Sequence, residues 1–167
     1  MTGTASRRAA EFADFVHTSS RYLSQTAFLL TGSRDVAADL VQEALARTYA
    51  VWWRVRPEDA LRYARRVLIN LHIDRHRRRG PALEEWSDLP DARDGEGRVD
   101  ARDEVARLLS SLAPQQRRVI VLRYFEDLSE AEAAECLGIS VGAVKSACSR
   151  GLAVLRERHT TVGEGER

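Results

Sequence analysis

Seven residues near the C-terminal end, in the stretch 128–155 (LSEAEAAECLGISVGAVKSACSRGLAVL), have types and spacing suited to recognition chemistry. Ser140, Val141, Gly142, Lys145, Ser146, Ser149 and Arg150 recur at intervals that gather side chains on one face of a helix. An ammonium, a guanidinium and several hydroxyls on one face are donors for anionic oxygens and for the acceptor edges of bases. Lys145 and Arg150 suit phosphates or the paired acceptors of guanine, and Ser146 and Ser149 suit single hydroxyl contacts.

Such a face reads a duplex only if a second helix holds it at a steep angle. The preceding residues have the types that this arrangement demands. Ala134 is small where two helices would cross, Gly138 permits positive φ in a three-residue turn, and Ile139 plugs the corner. Ser140 suits the cap of the second helix, Val144 would pack back on Ala134, and Ser129-Glu130-Ala131-Glu132 is a capping box for the first. The combination predicts a helix-turn-helix whose second helix enters the major groove of DNA. The alternative is a plain helical hairpin with a solvated basic face, and the spacing favours DNA.

Helical periodicity extends over the rest of the chain. Residues 8–31 carry Phe12, Phe15, Val16, Leu23, Ala27 and Leu30 at threes and fours, then Gly32 as a stop and Ser33 as the next cap. A second helix, about 34–53, has an apolar face running from Val36 to Trp52, and a polar one with Asp35, Asp39, Gln42, Glu43 and Arg47. Pro57 interrupts a polar loop over 54–59. A third helix, about 59–79, sets Leu61, Ala64, Leu68 and Leu71 against Arg62, Arg65, Arg66, Asn70, Asp74 and Arg77. Residues 80–100 are acidic and aperiodic and read as a mobile linker. Val105, Leu108, Leu109 and Leu112 open the C-terminal block, Pro114 starts a helix reaching Phe125, and the last helix runs to about Arg158. Strand-like alternation is missing, so the expected fold class is all-α: two small helical domains, 8–79 and 102–159, joined by an acidic linker over 80–101.

Composition supports this organisation. The net charge of +1 hides a segregation, with +6 over 1–80, −6 over 81–104 and +1 over 105–167. No apolar run approaches the roughly 18 residues of a membrane span. The N-terminal MTGTASRRAAEFADF lacks the apolar segment of a signal peptide, so no membrane insertion and a cytoplasmic location are expected. Cys136 and Cys148 read as small buried apolar side chains. His17, His72, His76 and His159 are scattered, and no catalytic triad, phosphate loop or H-E-x-x-H motif occurs, so neither enzymatic activity, metal nor cofactor is expected. His72 and His76, one turn apart, have the spacing of a metal pair, but among arginines they read rather as phosphate-facing.

Taken together, these segments resemble the small two-domain sigma factors of the extracytoplasmic-function group of the sigma-70 family. The C-terminal stretch is similar to their region 4, DVAADLVQEALARTY to region 2.2, and YARRVLINLHIDRHRR to regions 2.3 and 2.4. The resemblance implies a partner, core RNA polymerase, met through its β′ clamp and β flap, with Asp39, Gln42 and Glu43 docking on the clamp. Without it, that acidic face would be read as a solvated helix surface. It further implies promoter DNA as a partner. Arg66 and Asn70 fall where the melted −10 strand is held, and Arg54 and Arg56 lie in the loop that captures a flipped base. Tyr63 is the aromatic best placed for stacking. The −35 contacts would come from Ser140, Val141, Lys145, Ser146, Ser149 and Arg150. Asp74 and Arg77 read as a helix-stabilising pair. An anti-sigma partner is also implied, and regions 1.1 and 3.0 to 3.2 are not expected in a chain of this length.

Two positions depart from the family pattern. Ala147 stands where relatives often carry an arginine, so −35 contacts that are fewer or differently placed are expected, and Cys148 occupies a usually aliphatic position. A one-component repressor is the rival reading. It would need a dimer seam or a ligand pocket, and residues 1–80 show neither signature.

Overall fold

The computed structural model describes residues 2–79 and 101–163, with side chains over 5–78, 101 and 103–158. The expected linker therefore lies outside the described residues, except for Ala101, which already opens a helix. Seven α-helices lie among the described residues: α1 Thr2–Thr31, α2 Arg34–Ala50, α3 Ala60–Arg79, α4 Ala101–Ser110, α5 Pro114–Ile120, α6 Glu130–Leu137 and α7 Val141–Gly163. Short 3-10 turns at Trp52–Arg54 and Pro57–Asp59 join α2 to α3, and α5 widens into a π turn at Val121–Phe125. Among the described residues there is no strand, and no helix is long and apolar enough to cross a membrane. The architecture is all-α.

Local chemistry sets the boundaries. Gly32 adopts φ 67°, and its N–H donates to the Phe28 carbonyl at 2.8 Å, ending α1 in a left-handed step that glycine takes without strain. Ser33 Oγ accepts from the Val36 N–H at 3.3 Å and starts α2. Pro114, in the first turn of α5, has no N–H to leave unsatisfied. Both terminal helices exceed the expectation: α1 begins at Thr2 rather than near residue 8, and α7 continues to Gly163.

In the N-terminal lobe α1, α2 and α3 close over Leu23, Ala27, Leu30, Leu40, Ala44, Ala64 and Leu68, all buried. An aromatic cluster seals one end, with Phe12 4.8 Å from Tyr49 and 5.1 Å from Trp52 between ring centroids. Helices α4 to α7 close over Leu109, Leu112, Val119, Leu122, Leu137 and Val144. Buried Arg117 ties α4 to α5, donating to the carbonyls of Leu109 and Leu112 at 3.1 Å each. The two lobes are in contact: α1 packs on α4 and on the π turn, α3 packs on α6, and the apolar core runs through both.

Candidate nucleic-acid interface

The helix-turn-helix is built from the capping box upward. Ser129 Oγ accepts from the Glu132 N–H at 3.2 Å, and the Glu132 carboxylate accepts from the Ser129 N–H at 2.8 Å. That bond with Ser129 also holds the Glu132 carboxyl below its usual pKa. Gly138 closes α6 at φ 65°, and the Ile139 N–H donates to the Ala134 carbonyl at 3.1 Å. Ser140 Oγ then accepts from the Ala143 N–H at 3.1 Å and starts α7. Ala134 and Val144 are buried and Ile139 is half-buried, so each corner residue takes its expected place.

The recognition face is open. Ser140, Val141, Gly142, Lys145, Ser146, Ser149 and Arg150 are all exposed on the first three turns of α7 and its cap. Val141 offers an apolar surface of the kind that meets a thymine methyl. Lys145 Nζ lies 3.7 Å from Glu130 and Arg150 donates to the Ser146 carbonyl at 3.3 Å, exposed contacts that a phosphate can replace. Ala147 is buried against the core, so its small side chain fills a packing position beneath the exposed face. Cys136 and Cys148 are half-buried rather than buried, and the Cys148 sulfur sits 3.9 Å from the exposed Tyr124 hydroxyl.

A second basic surface lies on the N-terminal lobe. Arg54, Arg56, Tyr63 and Arg66 line a cleft of about 760 Å³ together with Arg62 and Arg65. Asn70 is exposed further along α3 and is not among the lining residues. The opposite wall belongs to the other lobe: Leu128, Glu132, Glu135 and Cys136. Arg66 donates to Glu135 across the cleft at 3.1 Å.

One side chain here, Arg65, escaped the sequence reading, while Trp52, read on the apolar face of the second helix, is buried as expected. Adjacent Trp52 and Trp53 share one 3-10 turn and point apart: Trp52 is buried, while Trp53 is 64% exposed with the Arg54 guanidinium 5.3 Å from its ring centroid. Arg65 does not belong to a solvated polar face. It bonds Glu126 at 3.1 Å with only 15% of its side chain exposed, because Glu126 lies at the end of the π turn and reaches α3. Burial opposes the charge on Arg65, but its bonds and attraction to Tyr22 and Glu126 outweigh that, and its pKa is raised. No local pattern flags a partner that arrives from 61 residues away.

His72 is a clearer correction. It is buried, not phosphate-facing, and burial with repulsion from Arg118 and Arg117 lowers its pKa to about 3. The imidazole is therefore neutral and packs as core, while His76, one turn on, is half-buried. Among the described residues no group of His, Cys, Asp and Glu is placed to hold a metal ion.

On α2, Asp39 and Gln42 are exposed. Gln42 edges an apolar groove between α1 and α2 that includes Phe12, Val16, Val41 and Leu45. Glu43 is half-buried and held by Arg75 at 3.0 Å and Arg47 at 2.7 Å, and the Arg75 bond leads the lowering of its pKa. Asp74 and Arg77 are both exposed on α3.

A helical chain whose last third presents a capped helix-turn-helix with an open basic face is a DNA-binding transcription protein by class. The family model described as Sigma-70, region 4 matches residues 102–155. The chain is 40% identical to the RNA polymerase sigma-E factor of Streptomyces antibioticus over 90% of its own length and 86% of that protein. It is 29% identical to the extracytoplasmic-function RNA polymerase sigma factor SigW of Bacillus subtilis, over 88% of both chains. Among solved structures, it matches the sigma factor RpoE of Bartonella quintana, crystallised with the anti-sigma factor NepR. That match has a TM-score of 0.66 and 25% identity and covers 87% of this chain and 94% of that one. The protein belongs to the extracytoplasmic-function sigma factors of the sigma-70 family, with a sigma-factor role in transcription initiation.

Proposed function

We propose that this protein binds core RNA polymerase in the cytoplasm and directs it to promoters, reading duplex −35 DNA with α7 and holding the melted −10 strand along the cleft of the N-terminal lobe. The observation that carries this reading is the exposed face of α7, with Lys145, Ser146, Ser149 and Arg150 presented on a helix locked at its turn by Gly138. The functional division is 8–79 for core docking and −10 recognition, 80–101 as linker and 102–159 for −35 recognition. Catalysis stays with the polymerase. The sigma factor supplies the address, and it captures unpaired bases so that binding energy drives melting.

In the N-terminal lobe, Arg54, Arg56 and Arg66 meet phosphates, Tyr63 stacks on a base, and Asn70 pairs with a base edge further along α3. Asp39 and Gln42 dock on the β′ clamp, with Glu43 joining them once it exchanges Arg47 or Arg75 for a clamp arginine. The C-terminal lobe meets the β flap. An anti-sigma factor that silences the chain is the remaining partner, by analogy with the complex of the Bartonella relative.

The test mixes the purified protein with bacterial core polymerase, follows co-elution, and sequences transcripts started on genomic DNA. Co-elution with new start sites that share −35 and −10 elements supports the reading. Tight operator binding by the protein alone, with no association with core, replaces it with a repressor. Asn70→Ala or Arg66→Ala is expected to weaken promoter opening while core binding persists, and substitution of Gln42 and Glu43 to do the reverse. Equal loss of both activities from either set removes the division of labour.

A further inference from the structure

We propose that the strand-binding surface continues beyond the cleft to a second nucleotide site on the N-terminal lobe, where Trp53 stacks on an unpaired base and Arg7 and Arg8 meet its phosphate. The inference deepens the reading of this lobe as the holder of the melted strand, and it rests on that reading.

Trp53 stands on a fixed platform. Its neighbour Trp52 is buried, with ring centroids of Phe12 and Phe15 each 5.1 Å away. Backbone bonds hold the turn that carries both: the Arg54 N–H donates to the Val51 carbonyl at 2.8 Å, and the Val55 N–H to the Trp52 carbonyl at 3.2 Å. Trp53 is nonetheless the most exposed large hydrophobic side chain among the described residues. The Arg54 guanidinium lies over its ring, as cations do at stacking sites for bases. A ring already held in place loses little conformational freedom when a base stacks on it.

The surroundings name the ligand. Trp53 lines a groove of about 620 Å³ with Arg7, Arg8, Glu11, Asp14 and Pro57. Arg7 pairs with Glu11 at 3.2 Å, but both side chains are more than half exposed, so a phosphate can take the place of that carboxylate. Glu11 and Asp14 are acceptors for the amino group of a base. Two cations balanced by two carboxylates do not suit a long run of phosphates; they suit one nucleotide, with one phosphate and one base edge. The groove is also continuous with the strand cleft. Val55 lines both, and Arg54 lines the cleft while covering Trp53. A strand that leaves the cleft over this short ridge meets the Trp53 ring next. Every residue lining the groove belongs to the N-terminal lobe, so the site is complete within that lobe.

The test uses the full chain and a random-sequence single strand of about 20 nucleotides, fluorescein-labelled for anisotropy or carrying 5-iododeoxycytidine for photocrosslinking. Irradiation is expected to join the iodocytosine to Trp53, as mapped by mass spectrometry. Trp53→Ala should weaken strand binding about fivefold or more, and Trp53→Phe should keep most of the affinity. Arg8→Gln should reduce the salt slope by about one phosphate. On a duplex of the same sequence, whose bases are already stacked, Trp53→Ala should change nothing. The side chain is exposed, so thermal melts of that variant should match wild type. A wild type that binds no strand, an unchanged affinity in Trp53→Ala, or an equal loss on strand and duplex would each overturn the site. Loss of co-elution with core RNA polymerase in Trp53→Ala, with strand binding intact, would assign the ring to a protein partner and overturn it as well. Failure of the underlying cleft assignment shows separately, as strand affinity insensitive to Tyr63→Ala.

Discussion

Arg65 of α3 and Glu126 at the end of the π turn form an ion pair of 3.1 Å, with side chains 15% and 1% exposed. The pair joins two lobes that the sequence presents as separate. A double-mutant cycle on folding stability, Arg65→Met with Glu126→Leu, should give a coupling of about 1–3 kcal/mol. The same cycle on Arg62 and Asp59, whose side chains are 73% and 44% exposed, should give only a few tenths. Urea unfolding of the four proteins in each cycle checks this, and equal couplings would mean that burial adds nothing to the interlobe pair.

Two glycines of the helix-turn-helix should respond in opposite directions to alanine. Gly138 sits at φ 65° with open space where a Cβ would stand, so Gly138→Ala meets no clash and loses about 1–2 kcal/mol to backbone strain alone. Gly142 lies in the first turn of α7 with only Ser140 Oγ at 3.8 Å, so Gly142→Ala should stabilise by up to about 1 kcal/mol through helix propensity. Thermal melts of the two variants suffice, and a shift of the same sign in both would contradict the assigned turn.

Stability should fall in mild acid because of His72. Its folded pKa of about 3 lies below the ordinary value of 6.5, so the unfolded chain takes up the proton first. The contribution is complete above about pH 6.5 and is lost as the pH drops toward 3, by at most about 1.4 kcal/mol per pH unit. Urea midpoints between pH 7 and 5 should show this slope, and His72→Gln should flatten it. An unchanged slope in that variant would assign the acid sensitivity to other groups.

On α7, position 147 should behave differently from its exposed neighbours. Lys145→Ala and Arg150→Ala should each weaken holoenzyme binding to promoter duplex and reduce the salt slope by about one phosphate. Ala147→Arg, which restores the family residue, buries a charge and should cost about 2 kcal/mol or more of stability without a gain in DNA affinity. Tighter DNA binding by Ala147→Arg at undiminished stability would return that position to the recognition face.

Much of this was legible in the residues. The capping box at Ser129 and Glu132, the turn at Gly138 and the outward set Ser140 to Arg150 rest on interactions within five residues, and each stands in the structure where its chemistry requires. The arginines of the cleft were legible as a group because Arg54, Arg56 and Arg66 lie on one turn-and-helix segment. Illegible were the residues whose environment comes from afar. His72 and Arg65 carry polar side chains on what periodicity marks as the wet face of α3, and only the arrival of the C-terminal lobe buries them. The π turn at Val121–Phe125 likewise has no compositional signal.

By itself, the sequence determined seven helices, the caps at Ser33, Ser129 and Ser140 and the helix-turn-helix, because those depend on short-range hydrogen bonding and on apolar periodicity. Only the tertiary structure decided that the lobes close on each other, that Glu126 is buried among Tyr22, Thr26 and Arg65, and that the basic cleft faces carboxylates. The reason is physical. The charge of a side chain is local and can be read in sequence, but its solvation and its partner are properties of the packed surface that meets it.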